Sequence, residues 1–257
     1  MIQQLIEELS RLEAVEAIAL GGSRAGDQFD PKSDYDIYVY CTGPTDEAQR
    51  REILERYCSI VEIGNHFWEY EDNCRLSDGI ELDLIYRNLD DFTADLAWVV
   101  EGCNARNGYT TCMWHNLLHS KILYDRDGRL AATKARFDVP YPEQLQENIV
   151  FRNYKLLQSS MPAYRTQISK ALSRHDMVSI NHRVTAFLES YFDILFAVNL
   201  QTHPGEKQLI KRCKAMCQVL PAQFEENLYN LFFHMYSAPD RVDNDIANII
   251  GRLQRIL

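Results

Sequence analysis

Strand-forming sequence is confined to the first half of this chain. Residues 16–21 (EAIALG), 34–41 (DYDIYVYC), 66–71 (HFWEYE) and 79–86 (GIELDLIY) show the β-former density or period-2 alternation of strands. After Pro140 and Pro142, apolar residues recur only at helical spacing, with breaks near Met161-Pro162, His203-Pro204-Gly205, Pro221 and Pro239. The asymmetry predicts an α+β domain followed by an all-α helical bundle of about four or five helices. We place the domains at 1–130 and 131–257, the border falling in the weakly marked stretch 125–140. Helices are also expected over 2–13, from a cap at Thr45 or Asp46 to about Cys58, and from Asp90 to about Gly102.

Composition narrows the function. The 257 residues include 27 Lys+Arg against 37 Asp+Glu, a formal charge of −10. That balance counts against long nucleic acid as the main partner, because phosphate-backbone binding needs clustered basic residues. Seven cysteines without a CxxC pair read as reduced thiols, Cys213 and Cys217 being packed one helical turn apart. The opening MIQQLIEELSRLE is an acidic amphipathic helix rather than a signal peptide, and no apolar run is long enough to span a membrane. A cytoplasmic location is the expectation.

One segment concentrates chemistry: Leu20-Gly21-Gly22-Ser23-Arg24-Ala25-Gly26, then Ser33-Asp34-Tyr35-Asp36-Ile37. A strand that ends in two glycines can turn tightly and let a ligand approach its backbone. Ser23 adds a hydroxyl and a backbone N–H at the start of a short helix, where anions are favoured. Asp34 and Asp36, two apart in a strand, share a face. Carboxylates held that close repel unless a cation lies between them, and hard oxygen ligands beside a phosphate cradle point to Mg²⁺. A third acid should come from another strand. Asp83 is the first candidate, flanked by Leu82 and Leu84, and Glu81 on the same face is the alternative.

This pattern resembles the nucleotidyltransferase superfamily signature: Gly22-Ser23, ten residues, Asp34-x-Asp36-Ile37, and a later acidic strand. The Gly-Ser-Arg-x-Gly and Ser-Asp-x-Asp versions are most similar to the small bacterial antibiotic and minimal nucleotidyltransferases. The resemblance covers Gly21 to Ile85 and implies a mixed-sheet α/β core and transfer of a nucleoside monophosphate from an NTP, with ATP the first choice. It implies that Gly22, Ser23 and Ser33 bind nucleotide and that Asp34, Asp36 and Asp83 are catalytic ligands of Mg²⁺, two ions in all. Arg24 either meets phosphate or pairs with Asp34 or Asp36. YFDILFAVNLQTHPGEKQLIK resembles the helical domain that follows such cores in some bacterial members. Lys207 would then reach the triphosphate, the alternative being a surface charge at a helix start.

The implied acceptor is a hydroxyl of a small molecule, for example an aminoglycoside or a lincosamide. Other readings are an antitoxin-like AMP transfer to a partner protein and a nucleotide-binding regulatory module without turnover. Two further patterns lead nowhere. His115 and His119 have the spacing of HExxH, but position 116 is Asn, so the general base is missing. Phe187, Tyr191, Phe192 and Phe196 fall at helical spacing and are read as bundle core.

Overall fold

The computed structural model describes residues 1–26 and 33–257; positions 27–32, within the spacer between Ser23 and Asp34, lie outside the described residues. The chain divides into two compact units, 1–97 with 116–139, and 98–115 with 140–257. The sequence boundary at 130 falls inside the second segment of the first unit, and 98–115 goes with the helices rather than with the sheet.

In the first unit, helix α1 (Ile2–Leu9) buries Leu5, Ile6 and Leu9. Strand β1 (Val15–Leu20) leads to a single 3-10 turn at Ser23–Ala25, followed by β2 (Tyr35–Cys41) and α2 (Glu47–Leu54). Asp46 caps α2, its carboxylate accepting from the N–H groups of Ala48 (2.7 Å) and Gln49 (3.1 Å). Strands β3 (Cys58–Asn65), β4 (Glu71–Leu76) and β5 (Glu81–Asn88), helix α3 (Leu89–Val100) up to Ala97, helix α4 (Cys112–His119) from Asn116, strand β6 (Lys121–Asp125) and helix α5 (Arg129–Phe137) complete the series.

Among the described residues the strands form one mixed sheet, ordered β3-β4-β5-β2-β1-β6, in which β2 and β5 are parallel and the other neighbours antiparallel. Its apolar face carries Ile37, Val39, Leu82, Leu84 and Tyr86 against Leu5, Leu9, Ile53 and Leu54 of α1 and α2. The opposite face of β2 and β5 is therefore left to Asp36, Tyr38, Asp83 and Arg87.

The sequence reading has four strands where six form among the described residues: it places one at 66–71 and assigns none at β3, β6 or most of β4. Residues 66–70 connect β3 to β4 instead of forming a strand, with Phe67 and Trp68 exposed. Aromatic density there imitates a β-segment. Strand β3 exposes Ser59, Ile60 and Glu62 and only half-buries Val61 and Ile63, and α2 ends at Leu54.

The second unit is helical: α6 (Glu143–Tyr154), α7 (Tyr164–Ser173), α8 (Met177–Val198), α9 (Leu209–Met216), α10 (Phe224–Ser237) and α11 (Val242–Leu253). The 22-residue α8 runs through its core, burying Phe187, Tyr191, Phe192 and Phe196 among residues of α7, α10 and α11. Among the described residues no helix is long and apolar enough to cross a membrane.

Candidate active site

After β1 the backbone turns through Gly21 and Gly22. The Gly21 N–H donates to the Asp36 carbonyl (2.7 Å), which fastens the turn to β2. Gly22 sits at φ 58°, ψ −156°, a region essentially reserved for glycine. A Cβ there would lie 1.7 Å from Asp36 Oδ2, so the carboxylate occupies the space left by the missing side chain. Gly21 does the same for Tyr38, whose ring would meet a Cβ at 2.4 Å. The two glycines make room for alternate residues on one face of β2.

Across the parallel ladder Asp36 stands opposite Asp83, and Asp83 in turn stands opposite Asn73 of β4. The Asn73 side-chain amide donates to Asp83 Oδ1 (2.8 Å), and Asn65 donates to Asn73 Oδ1 (2.6 Å). This two-amide relay fixes which way the Asn73 amide points and holds one oxygen of Asp83, leaving Oδ2 to other partners. Glu81, the alternative third acid, is exposed and pairs with Arg75 (3.1 Å).

Two further groups share this face. Burial raises the pKa of Glu71; the hydrogen bond from Asn73 opposes that shift, and Asp83 and Glu69 add to it. Arg87 binds Glu69 through two hydrogen bonds (2.8 and 2.6 Å) and lies 4.4 Å from the centre of the Tyr38 ring. Burial pushes the Tyr38 phenol up to about 12, with Arg87 opposing and Asp36 reinforcing. Sequence reading missed Asn65, Glu71, Asn73 and Arg87. For Asn73 a signal existed only in register: it faces Asp83 once β4 and β5 are paired.

Ser33 and Asp34 lead into β2 and are half-buried. Arg24 is buried, donates from Nε to the Ser33 carbonyl (2.6 Å) and stacks 4.0 Å over the Tyr35 ring. It thus joins the glycine turn to the start of β2. Ser23 is exposed at the first position of the 3-10 turn. Lys207 belongs to the second unit, is exposed just before α9, and accepts at its carbonyl from Arg212 Nε (3.1 Å). Asn199 caps α8 and ties it to Val219 through two hydrogen bonds (2.7 and 2.8 Å). His115 bonds Thr202 (2.7 Å), in keeping with a structural role.

The donor chemistry suits a hard divalent cation: two facing carboxylates beside a turn whose cradle a Cβ would fill. Among the described residues no group of three or more His, Cys, Asp or Glu converges to hold a metal ion. Gly22 and Ser23 are exposed beside that pair.

Comparison with known proteins gives residues 2–97 as a match to the nucleotidyltransferase domain family and residues 110–209 as a match to a domain of unknown function (DUF4037). Among solved structures, the chain is similar to a nucleotidyltransferase-like protein from Exiguobacterium sibiricum, at 13% identity over 100% of this chain and 74% of that one, TM-score 0.44. It is also similar to an aminoglycoside 6-adenyltransferase from Bacillus subtilis, at 12% identity over 98% of this chain and 90% of that one, TM-score 0.28. Comparison with curated proteins gives no match.

Proposed function

Since residues 2–97 are a nucleotidyltransferase domain and the protein is a transferase, we propose that it moves AMP from ATP, with Mg²⁺, to a hydroxyl of a small molecule. The observation that carries the reading is the pairing of Asp36 with Asp83 across β2 and β5, directly beside the Gly22 turn. Asp34, Asp36 and Asp83 would hold the metal, and Gly22, Ser23 and Ser33 the triphosphate. When bound, Mg²⁺ supplies positive charge against the phosphoryl oxygens and eases ionisation of the acceptor hydroxyl.

The remaining roles belong to the chain. The backbone at Gly22 and Ser23 binds and orients phosphate oxygens, with the Asp36 carboxylate, which fills the space a Gly22 side chain would take, beside it. Asn73 holds Asp83 in one rotamer, and the Asp83 carboxylate helps to draw the proton from the acceptor oxygen as it attacks the α-phosphorus. The bond formed is acceptor O–P, the bond broken joins the α-phosphorus to the bridging oxygen, and pyrophosphate leaves. Lys207 is assigned to the triphosphate on its position in the sequence. An acceptor bearing positive charge, such as an aminoglycoside, suits the net charge of −10.

The test is mass spectrometry after incubation with Mg²⁺-ATP and a panel of hydroxylated antibiotics, with Asp36→Asn as the control. A +AMP product formed by the wild type alone supports the proposal. An adduct on a protein instead would redirect it to protein AMP transfer, and tight ATP binding without pyrophosphate release would refute turnover.

A further inference from the structure

The helical unit contains a cavity of about 780 Å³, a size that accepts whole small molecules. Leu188 and Phe192 of α8, Leu209 of α9 and Tyr229 and Phe232 of α10 supply apolar and aromatic wall. Tyr109, Glu189 and Glu206 also line it.

Tyr109 is presented rigidly. It holds a left-handed conformation (φ 52°), which costs energy for a residue with a Cβ. The residues on either side are pinned by buried groups: the Gly108 N–H donates to Asn153 Oδ1 (3.1 Å) and the Thr110 N–H to Asp193 Oδ1 (3.0 Å). Gly108 also lies so close to α8 that a Cβ there would be 2.9 Å from Glu189 Cβ. Strain over-determined in this way preorganises a wall.

The charges are unbalanced. Lys214 pairs with Glu225 (2.5 Å), so the ionisable lining groups, three Glu against Lys211 and Lys214, leave 2 − 3 = −1. Burial, then the neighbouring Glu206, raises the pKa of Glu189. Burial, then both glutamates, pushes Tyr109 up to about 12. An arriving cation would relieve this mutual repulsion, and aromatic side chains attract ammonium groups in addition.

We propose that this cavity binds an organic monocation with an apolar body, an alkyl- or arylammonium. Its charge sits by Glu189 and Glu206, and its hydrocarbon lies against Phe192, Leu209, Tyr229 and Phe232. A polycation fits worse, because the lining's net charge of −1 matches a single positive charge. The inference concerns binding alone and stands apart from nucleotidyl transfer.

Calorimetric titration of the full chain, without nucleotide, uses phenethylammonium and its uncharged analogue 2-phenylethanol. The ammonium should bind at least about tenfold tighter than the alcohol. The double variant Glu189→Gln/Glu206→Gln should remove that preference, while Tyr229→Ala, at an exposed wall position, should weaken both ligands. Equal binding of the two probes, an undiminished preference in the double variant, or no binding of phenethylammonium to a wild type with native circular dichroism would overturn the proposal.

Discussion

Gly22→Ala probes the catalytic face with a single methyl group. Contact distances below 3.0 Å are essentially never adopted by a Cβ, and the new atom would stand 1.7 Å from Asp36 Oδ2. The carboxylate must therefore retreat by at least 3.0 − 1.7 = 1.3 Å, or the turn must open by as much. Forcing a non-glycine residue to φ 58°, ψ −156° adds a backbone cost of about 1–3 kcal/mol. A displacement of about 1 Å at a reacting centre costs on the order of a hundredfold in rate. We therefore expect at least about a hundredfold loss of AMP transfer, with urea unfolding showing only that modest loss of stability. Gly26→Ala is the matched control in the same turn. Its φ is −80°, and its nearest neighbour to an added Cβ is the Ser23 carbonyl oxygen at an ordinary 3.5 Å, so it should stay within about twofold of wild type. A Gly22→Ala protein with near-normal turnover, or a Gly26→Ala protein equally impaired, would refute the placement of Asp36 in the chemistry.

Other predictions follow from neighbouring groups. Asp83→Asn should abolish transfer yet raise the metal-free urea midpoint, because like charges facing across a ladder cost about 0.2–1 kcal/mol; a lowered midpoint would contradict that pairing. Asn73→Ala should weaken Mn²⁺ binding, followed by electron paramagnetic resonance, by about 10–100-fold, as expected when a ligand loses its orienting partner. In the helical unit, burial raises Asp193 to about 7 and lowers His203 to about 4. Asp193 thus stabilises below its unfolded value of 3.8, and that contribution is lost as pH rises toward 7. His203 contributes above 6.5 and is lost as pH falls toward 4, so the two slopes oppose each other between those limits. In Asp193→Asn the histidine slope is no longer opposed by Asp193, and stability should fall, relative to wild type, by up to about 3 kcal/mol between pH 6.5 and 4. A flat profile for that variant would refute the assignment.

Some of this molecule is legible residue by residue, and some only through pairing. Gly21-Gly22 and the Asp34/Asp36 alternation announce a strand–turn–strand with acids on one face, because glycine freedom and period 2 are local properties. The pairing of Asp36 with Asp83 is a matter of register, which links residues 47 positions apart through a parallel ladder. Asn73 is less visible still. As part of Asp72-Asn73 it reads as a turn, whereas β4 runs through both, with Asp72 buried against Arg50 and Asn73 on the other face. The HFWEYE segment misleads for the opposite reason: aromatic propensity marks a strand where exposed Phe67 and Trp68 instead top a connection. The helical half is easier to read, because proline breaks and 3.6-residue periodicity coincide at most of its boundaries; it holds six helices rather than four or five, the break between α7 and α8 at 174–176 carrying no proline. Its interior polar ties, Asp193 to Thr110 and Asn153 to Gly108, join residues too far apart for any local pattern to reveal.

The order in which the sheet is assembled has a consequence for synthesis and for dissection. Strand β6 pairs with β1 across about a hundred residues, with 98–115 of the other unit emerging from the ribosome first. Until Asp125 has been made, one edge of VEAIAL in β1 has no strand to cover it, although Ala17, Ile18 and Ala19 are fully buried in the finished protein. An apolar ladder edge of that kind templates aggregation. A fragment stopped at Ala97 keeps the glycine turn and all three aspartates but carries that open edge permanently, whereas one ending after α5 at Val139 covers the edge and parts 98–115 from Asn153 and Asp193.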